Sequence, residues 1–168
     1  ESHGVSVDAL QHQLSQTSHS LLLTCDTGID AFESVSYAQS AGIDVIITDH
    51  HQLPHILPPA HSIVNPNLLT EDHPLYNLPG VGVVYKLIEA LYSNLMLDPE
   101  IFLDLVALGI VADVARQTHD TRYLLQKGLA TLQNTSRLGL QQLLSIAKFN
   151  PEDITEETIG FVIGPRLN

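Results

Sequence analysis

Two short apolar runs, Leu21-Leu-Leu-Thr-Cys25 and Val45-Ile-Ile-Thr48, restrict the possible folds more than any other part of the chain. Each has strand length, and the second is β-branched throughout. Between them, Ala31 to Ser40 reads as a helix. Gly42 closes it, as glycine commonly does just past a helix end. Runs that are continuously apolar, and separated by a helix, read as buried parallel strands of a βαβ unit. Ser62-Ile-Val-Asn65 is a third short strand, stopped by Pro66. Upstream, Ser6 can cap a short helix carrying Leu10 and Leu14. The expected class is α/β: a parallel sheet with helices on both faces.

The second half changes period. Gln52 to Pro59 is a loop, because Pro54, Pro58 and Pro59 stop any helix, and Asn67 to Asn77 is polar and irregular. From Val81 to Leu95 apolar residues recur at helical spacing (Val84, Leu87, Ile88, Leu91, Leu95). Asp98-Pro99 pairs a cap with proline at the first helical position and opens a helix running towards Asp113. Further helices are expected over Thr121–Gln133, Arg137–Lys148 and Thr155 to about Phe161. The organisation expected is one α/β domain, with a βαβ part over residues 1–66 and a mainly helical extension over 78–168.

The polar residues that end these elements carry the chemistry. The first strand ends at Asp26, the second at Asp49-His50-His51, and the helix through Leu108-Gly-Ile-Val-Ala ends at Asp113. In open α/β sheets ligands bind beyond the carboxyl ends of the strands. Carboxylate and imidazole side by side suit a divalent metal such as Mn, Zn or Fe. Each residue also has a plainer use: Asp26 can cap the next helix, Asp113 can be a solvated loop residue, and a His-His pair can lie in a loop without chemistry. Gly80 and Gly82, in Pro79-Gly-Val-Gly-Val, either let backbone approach a phosphate at a helix start or allow tight packing of that helix. The remaining histidines (3, 12, 19, 55, 61, 73 and 119) lie in polar contexts and read as surface residues, with His55 close to the cleft. Cys25, inside an apolar run, reads as a buried small hydrophobe.

Composition narrows the function classes. Of 168 residues 44% are hydrophobic, enough for a sizeable core. No apolar run reaches the ~18 residues of a membrane span. The single cysteine excludes an internal disulfide and fits a reducing cytoplasm. Net charge is −12 with only seven Lys plus Arg, which argues against a broad nucleic-acid surface and fits a site that recruits cations. The abrupt start at Glu1 and end at Asn168 read as those of a piece of a longer protein.

Taken in order, the motifs resemble those of the DHH phosphoesterase superfamily, and most closely its RecJ-like branch of single-strand-specific DNA exonucleases. The matching segments are Glu1-Ser-His-Gly-Val, Thr24-Cys-Asp-Thr-Gly-Ile29, Thr48-Asp-His-His51, Val64-Asn-Pro66, Leu78-Pro-Gly-Val-Gly-Val-Val-Tyr-Lys86 and Leu103 to Asp113. Gly164-Pro-Arg-Leu-Asn168 resembles the start of a further motif. The resemblance implies a DHH-type domain with a two-ion centre holding Mn²⁺ or Mg²⁺. It implies that Asp26, His50 and Asp113 ligate metal, that Asp49 contacts metal or orients the site, and that His51 meets the scissile phosphate. Arg166 is the best remaining phosphate contact, because a guanidinium pairs bidentately with phosphate oxygens; Asn168, Gly80 and Gly82 are further candidates. The implied activity is hydrolysis of single-stranded DNA. Alternatives within the fold are a phosphoesterase of pyrophosphate, short oligonucleotides or cyclic dinucleotides, and a non-catalytic binding protein. The family's first motif, an Asp-x-Asp pair, has no equivalent here and is expected upstream; a substrate-binding domain is expected downstream. Without them the segment alone is expected to be poorly active.

Overall fold

The computed structural model describes residues 4–16 and 19–167. Glu1, Ser2, His3 and Asn168, singled out above, lie outside the described residues. The chain divides into two compact units, Glu1–Tyr76 and Asn77–Asn168.

The first unit is the expected βαβ arrangement. Helix α1 (Val7–Gln16) leads into β1 (Leu21–Cys25), α2 (Phe32–Ser40), β2 (Asp44–Thr48) and β3 (Ser62–Val64). The strands pair in parallel in the order β1-β2-β3. Ser6 caps α1 as expected, its hydroxyl accepting from the Ala9 amide at 3.3 Å. Gly42 follows α2 at φ +78°, a left-handed conformation that costs glycine little. On one face of the sheet Val45 and Ile47 pack with Val35 and Ala38 of α2 and with Ile43. Leu10 and Leu14 of α1, with Leu22 and Ile63, close this small core.

Both helices of this unit pack on the Val45 and Ile47 side of the sheet. Alternation along a strand sends Leu21, Leu23 and Cys25 to the opposite face from Leu22 and Thr24. There Leu21 and Leu23 are about half exposed, and Cys25 is exposed too. The expected burial of Cys25 is therefore wrong. Thr24, its neighbour, is the buried residue.

The second unit is helical, from α3 (Gly80–Leu95) through α4 (Leu103–Ala112), α5 (His119–Gln133) and α6 (Leu138–Ala147) to α7 (Glu156–Thr158). A 3₁₀ turn, Pro99–Phe102, leads into α4, with the Asp98 carboxylate accepting from the Glu100 amide at 2.9 Å. Helix α4 is apolar nearly all round and is the buried centre of the unit. Gly128 of α5 lets the two helix backbones approach closely: a Cβ there would lie 2.4 Å from the Leu103 carbonyl oxygen. Asp104, buried in the first turn of α4, accepts from Thr135 Oγ1 at 2.7 Å and from Arg137 Nε at 2.9 Å. That pair ties the start of α4 to the turn before α6.

The last helix runs further than its sequence suggests. After α7 a π turn spans Ile159–Ile163 and a final helix, α8, covers Gly164–Leu167. Pro165 has no N–H for the Phe161 carbonyl, so an α ladder cannot pass here. Instead the Gly164 amide bonds five residues back, to Ile159. Among the described residues no helix is long and apolar enough to cross a membrane.

Candidate metal centre

Strand register places the site. Cys25 pairs with Thr48, and Thr48 with Val64, so Asp26, Asp49 and Asn65 follow at one edge of the sheet. The ladder continues one bond beyond each strand. The Asp26 amide donates to the Thr48 carbonyl at 2.9 Å, and the Asp49 amide to the Val64 carbonyl at 3.1 Å. Asp26 then turns sharply, at φ +63°. A non-glycine residue in the left-handed region is uncommon, and aspartate is among the side chains that tolerate it best. Gly28 completes the turn at φ +107°, where a Cβ would also sit 2.9 Å from Thr24 Oγ1. Both conformation and space therefore require glycine.

This turn aims the Asp26 carboxylate at the histidine pair. His50 Nε2 lies 3.1 Å from Asp26 Oδ1, and the two imidazole centroids are 4.6 Å apart. Asp26, His50 and His51 each bring one ligand atom within 4.8 Å of the others. Two cis ligands of an octahedral ion about 2.1 Å away stand about 3.0 Å apart. The Asp26–His50 spacing fits that requirement, and a carboxylate with two imidazoles is a donor set for a divalent ion of the Mn²⁺ type. A cavity of about 440 Å³ opens beside the cluster, lined by Asp26, Thr27, Asp30, Asp49, His51 and Gln52. His55 does not line it.

Asp49 is bonded differently from its neighbours. It is 1% exposed. Its Oδ2 accepts from the Ile29 amide at 2.9 Å. Its Oδ1 accepts from the His50 amide at 2.8 Å, the His51 amide at 3.2 Å and His51 Nδ1 at 2.7 Å. Burial raises the carboxyl pKa, but the bond from His51 and those from the Ile29, His51 and His50 amides outweigh it and leave it below its ordinary value. An ionised carboxylate only accepts, so His51 Nδ1 carries its proton towards Asp49. Of the two roles the resemblance left open for Asp49, contact with metal or orientation of the site, these bonds support orientation. Its link to Ile29 also ties the β2 end to the turn after β1.

The remaining expected residues lie in the second unit. Asp113 is the exposed C-cap of α4, its amide donating to the Gly109 carbonyl at 3.0 Å. Gly80 and Gly82 are buried in the first turn of α3. A Cβ on Gly82 would meet Leu78 Cδ2 at 2.9 Å, so tight packing accounts for it. Arg166 is exposed on α8, with its guanidinium on the Val162 carbonyl one turn back.

Sequence reasoning passed over Asn67. Its side-chain amide donates to the His50 carbonyl at 2.8 Å and to the His51 carbonyl at 3.1 Å. The available signal was Asn65-Pro66-Asn67 directly after a strand, since Asn before proline favours a turn.

A family model described as "DHH family, N-terminal domain" matches residues 3–110. The single-stranded-DNA-specific exonuclease RecJ of Bacillus subtilis is 38% identical over 168 residues, covering all of this chain and 21% of the relative. That of Haemophilus influenzae is 41% identical over 160 residues, covering 88% of this chain and 28% of the relative. The chain thus spans about a quarter of the length of these relatives. Among solved structures, an exonuclease RecJ bound to manganese superposes over the whole chain and 42% of its own length, with TM-score 0.86 and 32% identity. RecJ of Thermus thermophilus in complex with Mn²⁺ has TM-score 0.82 and 31% identity over 96% of this chain and 24% of its own.

Proposed function

The chain belongs to the DHH family, and on that premise we propose that it forms the metal-binding part of an exonuclease that hydrolyses phosphodiester bonds of single-stranded DNA. The observation that carries this reading is the cluster of Asp26, His50 and His51 at the carboxyl edge of a parallel sheet. The names of the similar proteins, single-strand-specific exonucleases with Mn²⁺ or Mg²⁺ bound, supply the substrate class and the ions.

Asp26 and His50 would hold a divalent ion. Two such ions, once bound, lower the pKa of a water and stabilise the leaving oxygen of a phosphodiester. The chain's own residues prepare that chemistry. Asp26, turned by its left-handed backbone, presents one carboxylate oxygen to the ion position. Asp49 fixes the ring of His51 through Nδ1, which turns Nε2 towards the cavity and the scissile phosphate. Arg166 offers a guanidinium suited to bidentate phosphate contact. With a net charge of −12, the phosphate backbone must be gripped by metal ions, a few local cations and basic surface outside these residues. The lone cysteine suits a reducing, cytoplasmic setting.

A segment exchange tests the reading. Substituting this chain for the matching segment of the Bacillus subtilis relative should preserve Mn²⁺-dependent degradation of labelled single strands over duplex. The same exchange carrying His50→Ala should lose activity by roughly 10²-fold or more, as loss of a metal ligand or its support does. A folded chimera that binds single strands without hydrolysing them, or one indifferent to His50→Ala, would overturn it.

A further inference from the structure

Both backbone N–H and both backbone C=O groups of the histidine pair are tied. Asp49 takes the amides of His50 and His51. On the other side Asn67 Nδ2 donates to the carbonyls of His50 and His51 at 2.8 and 3.1 Å. Asn65 Nδ2 donates to the His51 carbonyl at 3.0 Å. The amides are themselves ordered: Asn65 Oδ1 accepts from the Asn67 backbone at 2.9 Å and from Asn67 Nδ2 at 3.1 Å. Asn65 is buried, follows β3, and precedes a buried Pro66 that fixes the backbone between the two amides.

From this arrangement we infer that Asn65 and Asn67 are positioning residues of the metal centre, acting through the main chain of His50 and His51. The inference rests on the metal reading proposed above and deepens it. Fixing both N–H and both C=O groups of successive residues leaves their φ and ψ little freedom. The directions of the two Cα–Cβ bonds follow, and with them the approach of His50 Nε2 to Asp26. Both asparagines bond the pair at its carbonyl oxygens, so their effect passes through backbone. Neighbours of this kind are worth about 10- to 100-fold in metal affinity, while each neutral hydrogen bond adds little to the stability of the fold. The expected signature is a loss of ligand placement out of proportion to the loss of stability.

Asn67→Ala removes both of its carbonyl contacts and leaves the fold's core untouched. Ile63→Val, on β3 but facing the core, serves as a stability control. In the metal-free chain, the ring ¹H–¹³C and ¹H–¹⁵N signals of His50 and His51 should shift or broaden in Asn67→Ala and stay in place in Ile63→Val. Mn²⁺ affinity, read by electron paramagnetic resonance, should fall about tenfold in Asn67→Ala and stay within about twofold in the control. Unmoved ring signals in Asn67→Ala overturn the inference, as does a loss of affinity equal to the control's. If the parent chain takes up no Mn²⁺, the metal reading fails, and the metal-free ring signals still decide whether the asparagines position the pair.

Discussion

Replacing Asp49 by asparagine keeps the size of a buried side chain while removing half of its accepting capacity. Four donors converge on the native carboxylate: the amides of Ile29, His50 and His51, and His51 Nδ1. An amide has one accepting oxygen. If that oxygen stays with the histidine pair, the NH₂ group faces the Ile29 N–H, 2.9 Å away in the native chain. A buried donor left unmatched costs about 1–3 kcal/mol. The surviving bonds lose their charge assistance, worth roughly another 1 kcal/mol together. The sum, about 2–4 kcal/mol, corresponds to amide exchange about 30- to 900-fold faster at positions 29, 50 and 51. Hydrogen exchange followed by nuclear magnetic resonance reads those amides directly, with urea unfolding as the global measure. There is also a pH component with a definite sign. The folded-state carboxyl lies below its ordinary value of 3.8, so the unfolded chain takes up the proton first. Its contribution is full above that value and is lost as pH falls through the folded-state pKa. Asp49→Asn should lack this acid-dependent loss. Exchange within about threefold of the parent at all three amides would refute the view that Asp49 ties the two strand ends together.

Other perturbations test the second unit. Asp104→Ala leaves Arg137 and Thr135 without their shared carboxylate and should lower stability by about 2–3 kcal/mol by urea titration, the partial exposure of Arg137 limiting the loss. Gly128→Ala forces a Cβ onto the Leu103 carbonyl oxygen and should cost about 1–3 kcal/mol with α4 and α5 pushed apart, visible as a lowered melting temperature. Burial, with Glu89 nearby, raises the Tyr85 phenol to about 12. The unfolded chain ionises first, so this group's contribution is full below its ordinary value of 10.0 and lost as pH rises towards 12; Tyr85→Phe should flatten that alkaline decline in thermal scans.

Much of the fold was legible because its signals are local. The β-branched run before Asp49, the glycine after α2 and the prolines after residue 52 each act within a few residues. What was missed depends on contacts between distant parts of the chain. The short, largely apolar run of β1 could not show which face the unit's helices cover, so Cys25 was expected inside and lies outside. The Asp-His-His triplet announced a site but could not divide its labour. The orienting role proposed for Asp49 draws on the Ile29 amide, which returns to it across 20 residues. Asn67 read as the start of an irregular stretch, because its role depends on β3 lying beside β2. The π turn was hidden for a different reason: Pro165 marks an interruption but does not say how the ladder passes it.

Asp26 and His50 are the proposed ligands of one divalent ion. Mn²⁺ titration of this chain against Asp26→Ala and His50→Ala, read by calorimetry or electron paramagnetic resonance, tests it most directly. The parent chain should bind saturably, and both variants should bind more weakly, by about tenfold or more, with the fold retained. Equal affinity in all three would contradict it.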